Sequence, residues 1–123
     1  MPILIHGTTL QRAQGILRFG PDSAFVEPGG TGTADGFSMC FKNGPFPLGH
    51  PEDYAFGKAA QFPGELGPAL ISVDVPDEII ELAVDGFFPR SQGIVQFEVS
   101  RGLEELLHAW QLFQKEIRCI ERK

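Results

Sequence analysis

The 123 residues predict one α+β domain spanning 1–123, with a mixed or split β-sheet of about five to six strands and helices packed on it. Three observations carry that expectation. Hydrophobic residues make up 42% of the chain, enough for one core without disulfide or metal staples. Period-two runs at 36–41, 68–75 and 93–99 read as strands, while stripes at offsets of three, four and seven read as helices. The elements do not alternate as strict strand–helix–strand units behind a Gly-rich phosphate fingerprint, which argues against a Rossmann domain.

Taken in order, residues 2–6 form an apolar run that ends at His6, followed by Gly7, Thr8 and Thr9. A strand that stops there delivers a titratable ring and a bare backbone position to the mouth of a turn. Leu10, Ala13, Ile16 and Leu17 then share a helical face over 9–19. Thr8 or Thr9 caps this helix, Thr8 with Gln11 fits a capping box, and Gly20-Pro21 ends it. Residues 21–36, with Pro21, Pro28 and four glycines, are a loop long enough to serve as a lid or binding loop.

Phe37, Met39 and Phe41 alternate with Ser38 and Cys40 in the next strand. After a loop at 42–50, Pro51 opens a helix that stacks Ala55, Ala59 and Phe62 and stops at Pro63. Residues 68–75 give the clearest strand, with Ala69, Ile71, Val73 and Val75 on one face. A short turn carries Ile79, Ile80 and Leu82, and 84–90 reads as a loop or edge strand. In the strand at 93–99, Val95, Phe97 and Val99 oppose Ile94, Gln96 and Glu98, with Gln92 in the latter register. Ser100 caps a helix striped by Leu103, Leu106, Leu107 and Trp110, and 116–121 closes the sheet.

The formal net charge is −6, and no basic cluster stands out, so extended nucleic acid is a poor partner. Cys40 and Cys119 lie in no metal-binding spacing, so no metal site is expected. Two reduced thiols, no signal-peptide pattern and no stretch near the ~20 apolar residues of a span lead us to expect a cytoplasmic chain without membrane contact.

His6-Gly7-Thr8, followed by a helix spaced Ala13, Ile16-Leu17 and Gly20, resembles the first motif of the ADP-ribosyltransferase fold, in particular its poly(ADP-ribose)-polymerase-like branch. Gly36-Phe37-Ser38-Met39 is similar to that family's second, aromatic strand, 58–62 to its following helix, and 67–75 to its next core strand. The resemblance covers roughly 3–76, with a weaker match at 91–99. It implies NAD as substrate. Gly7 would hold the nicotinamide carboxamide through its backbone, His6 would hold the adenosine ribose, and Thr8 would add a hydroxyl. Ser38 would line the wall, where the polymerase-like branch has a tyrosine and the toxin-like branch a serine. Tyr54 or Phe62 would stack on nicotinamide.

The resemblance also implies an acid on a late strand. Gln92 takes that place if Gly93-Ile94-Val95 is aligned with the family's strand, and a glutamine carries no charge. Glu98 shares its face, and Gln96 with Glu98 makes a Gln-x-Glu pair of the toxin-like type. The implied reaction is transfer of ADP-ribose to an acceptor, such as a protein, or hydrolysis of NAD. The alternative is a weak or inactive nucleotide- or protein-binding module on the same fold.

Overall fold

The computed structural model describes residues 3–21, 36–46, 49–83, 93–98 and 101–121. Its elements are β1 (Ile3–Thr9), α1 (Leu10–Phe19), β2 (Gly36–Phe41), α2 (Pro51–Gln61), β3 (Pro68–Asp74), α3 (Asp77–Ile80), β4 (Ile94–Glu98), α4 (Leu103–Ala109) and β5 (Lys115–Cys119). The α+β class therefore holds. Five strands form one sheet in the order β4-β2-β1-β3-β5. Every pairing among them is antiparallel, so the expected mixture of strand directions is replaced by a uniform sheet.

The sheet nevertheless has a seam. β1 pairs with β3 along seven residues, from Ile3↔Asp74 to Thr9↔Pro68, and β2 pairs with β4 from Gly36↔Glu98 to Cys40↔Ile94. Between β1 and β2 the register holds only Leu4↔Phe41 and Ile5↔Cys40. Two well-laddered parts thus meet along a short line.

One face of the sheet carries the core. Leu4, Phe37, Met39, Ala69, Ile71, Val73, Val95 and Phe97 pack there with Ala13, Ile16, Leu103, Leu106 and Trp110. Each fully buried aliphatic side chain contributes about 1.5–3 kcal/mol. The helix α1 lies over β3 and β5, and α4 lies against β4. The other face receives α2 across β1 and β3. Trp110 is buried as its stripe predicts, and its indole N–H donates to the Leu17 carbonyl at 3.1 Å.

Several boundaries differ from expectation. β1 does not stop at His6 but continues to Thr9, because β3 supplies partners for the whole segment and the β-branched threonines suit a pleated strand. Thr9, not Thr8, caps α1 by accepting from Arg12 N at 3.2 Å, so Gln11 forms no capping box with Thr8. α4 begins after Gly102, whose φ of 89° is left-handed. Ser100, the loop at 22–35 and the segment at 84–90 lie outside the described residues. Among the described residues no helix is long and apolar enough to cross a membrane, and no cluster of His, Cys, Asp and Glu could hold a metal ion.

Candidate functional site

Three of the predicted residues, His6, Gly7 and Ser38, lie along the seam. Ile3 O accepts from Lys42 N at 2.9 Å, so its main chain faces β2. Main-chain groups alternate sides along an antiparallel strand, so those of Ile5 and Gly7 face β2 as well. On β2, Phe41 N donates to Gly93 O beside β4, which turns the main chains of Cys40 and Ser38 toward β1. Gly7 and Ser38 would therefore be the next pair, yet the paired register ends at Ile5↔Cys40. The Ser38 carbonyl instead lies 2.8 Å from His6 Nδ1. A carbonyl only accepts, so Nδ1 carries the hydrogen and Nε2 is the acceptor of the neutral ring. The His6 ring also stacks at 4.4 Å on Phe37, which sets its plane.

Side-chain directions divide the site between two faces. His6 points to the Phe37 face and Gly7 to the α2 face, as neighbours on a strand must. Ser38 and Cys40 on β2, and Gln96 and Glu98 on β4, share the α2 face, with Ser38 directly opposite Gln96. Gln96 is buried and donates from Nε2 to Glu98 Oε1 at 2.9 Å. That bond fixes the orientation of the Glu98 carboxylate. Tyr54 on α2 lies close enough to Cys40 to feel its charge. Burial first, then Cys40 and Asp53, push the phenol above its ordinary range, and burial raises the Cys40 thiol. His6 and the Ser38 carbonyl thus meet at the seam, and the Gln96–Glu98 pair lies on the far side of β2, with Gln96 opposite Ser38 and Tyr54 near Cys40 on the α2 face.

Other predicted residues have different surroundings. Gly7 is a seat for α2: a Cβ there would overlap the Pro51 carbonyl oxygen and stand 2.8 Å from the Pro51 carbonyl carbon. Thr8 is fully buried within the sheet rather than on an open wall. Phe62 lies under the Arg12 guanidinium, 4.2 Å from its ring centroid, and Arg12 in turn bonds Glu65 at 2.7 Å. Thr9 Oγ1 donates to the same Glu65 oxygen at 3.0 Å. This cluster ties α1 to the α2–β3 connection, about 10 Å along the helix from Ala55 at Gly7. Gln92 lies outside the described residues.

His50 drew no expectation from the sequence. It is the N-cap of α2: Nδ1 accepts from Glu52 N at 3.0 Å, and the ring packs at a tilt against Phe46, with centroids 4.5 Å apart. The signal was present in His50 immediately preceding Pro51 at the helix start. The capture of the Ser38 carbonyl had no sequence signal, because it depends on where a ladder between distant strands ends.

No protein-family model, curated protein or solved structure matches the chain.

Proposed function

We propose that this chain is an ADP-ribosyltransferase-like protein that binds NAD across the β1–β2 seam and transfers ADP-ribose to a protein acceptor or to water. The observation that carries the reading is the His6 bond to the Ser38 carbonyl together with the Gln96–Glu98 pair beside Ser38 on β4. The main chain of Gly7 faces β2 just beyond the last paired residues, and a carboxamide needs a donor and an acceptor of that kind. The resemblance assigns the adenosine ribose to His6, whose ring the Ser38 carbonyl and Phe37 hold in place. Tyr54 lies near Cys40, which shares a face with Ser38, and stacks on the nicotinamide.

The chemistry follows from charge. Cleavage of the nicotinamide–ribose bond passes through an oxocarbenium-like state, which a nearby carboxylate stabilises. Glu98 supplies that charge, and Gln96 holds it in one orientation. The released sugar cation is then captured by the acceptor. A cytoplasmic setting, where Cys40 and Cys119 stay free, belongs to the same proposal.

Binding is tested by the melting temperature in rising NAD, since a ligand that binds only the folded state stabilises it by mass action. A saturable rise, lost in His6→Ala, supports the site. No rise in the wild-type protein at any NAD concentration removes both the transferase and its non-catalytic binding alternative. A rise without nicotinamide release favours the binding module.

A further inference from the structure

The strand β5 ends the sheet, and its main-chain groups divide between its two edges. Asp74 N donates to Gln114 O at 2.9 Å, and Ile120 N donates to Pro68 O at 3.2 Å. Even-numbered residues of this segment therefore face β3 with their main chains, and alternation turns those of Lys115, Ile117 and Cys119 outward. Among the described residues, β5 is paired only with β3 and forms an end of the sheet. An outward row of donors and acceptors is a template for another strand.

Edge strands commonly carry charges that repel such pairing. Here the order of the charges reverses that effect for one partner. Ile117 is the middle residue of Lys115–Cys119. A second copy laid antiparallel about a two-fold axis at Ile117 puts Ile117 opposite itself and Lys115 opposite Cys119. Glu116 then stands opposite Arg118 of the second copy, and Arg118 opposite its Glu116. The outward-facing residues become the hydrogen-bonded pairs, giving about six main-chain bonds, and the Glu–Arg pairs take the closer non-bonded positions. Glu116 and Arg118 are both exposed, and Arg118 already reaches one carboxylate, Glu52 at 3.5 Å. Backbone parity and charge order thus agree on one register.

We propose that β5 is a homodimerisation edge, joining two copies of this chain into a continuous ten-stranded sheet through Glu116–Arg118 pairs. The test is light-scattering mass across a wide concentration series, with far-UV circular dichroism as a folding control. The wild-type mass should rise from 13.5 kDa towards twice that value, and high salt should reduce the rise. Glu116→Arg alone or Arg118→Glu alone places like charges opposite each other and should weaken dimerisation about tenfold or more. The double exchange, Glu116→Arg with Arg118→Glu, restores complementarity and should restore the dimer. A wild-type mass of 13.5 kDa at every concentration overturns the proposal. So does a dimer unaffected by the single exchanges, or one the double exchange fails to restore.

Discussion

Replacing Gly7 by alanine tests whether α2 is seated on Gly7. The added Cβ would overlap the Pro51 carbonyl oxygen, and would stand 2.8 Å from the Pro51 carbon and 3.2 Å from Ala55 N. All three obstacles are backbone, so no side chain can swing aside. Restoring the carbon contact alone to the 3.4 Å of ordinary contact moves the helix by about 0.6 Å, and the oxygen demands more. Overpacking against a rigid helix costs about 3 kcal/mol. With an m-value of about 2 kcal/mol/M, the urea midpoint should fall by about 1.5 M. Gly57 on the same helix is the control, because a Cβ there meets nothing within 4 Å. Gly57→Ala should raise stability by about 0.5–1 kcal/mol through helix propensity. A Gly7→Ala midpoint within about 0.3 M of the wild type would show that α2 does not rest on Gly7 as described.

Three further outcomes follow from the same geometry. Tyr54 is the only tyrosine, so absorbance at 295 nm reports it alone; its midpoint should lie above the ordinary value of about 10 and move only part of the way back in Cys40→Ala, because burial is the larger cause. The stability linked to that raised phenol is fully present below pH ~10 and is lost as pH rises through the folded value, and a midpoint at or below 10 would contradict the burial. His50→Ala removes the side-chain acceptor at the start of α2 and should cost about 1 kcal/mol in chemical denaturation, whereas His50→Asn should retain most of it. Arg12→Ala breaks both the Glu65 bond and the stack on Phe62 and should cost about 2 kcal/mol; an unchanged melting curve would mean the cluster does not fasten α1.

The parts legible in the sequence were those set by local periodicity. The alternation at 68–75 became β3, that at 93–99 became β4, and the Leu103–Trp110 stripe went into the core. Long-range pairing was not legible. His6 was expected at a strand end, yet β3 carries the strand on to Thr9. Gly7 was read for its bare backbone, and the helix that occupies its missing side chain comes from forty-odd residues away. Gln96 and Glu98 were legible as a pair because period two puts them on one face. Their positions opposite Ser38 and Gly36 required the β2–β4 register.

The most direct measurement is nicotinamide release from NAD by the wild-type protein and by Glu98→Gln. Glutamine keeps the shape and the contact with Gln96 while removing the charge that the oxocarbenium-like state requires. Steady release by the wild type, reduced about a hundredfold or more in Glu98→Gln with NAD binding intact, is the expected result. Release that is the same in both proteins would contradict the role of the seam carboxylate and move the chemistry elsewhere.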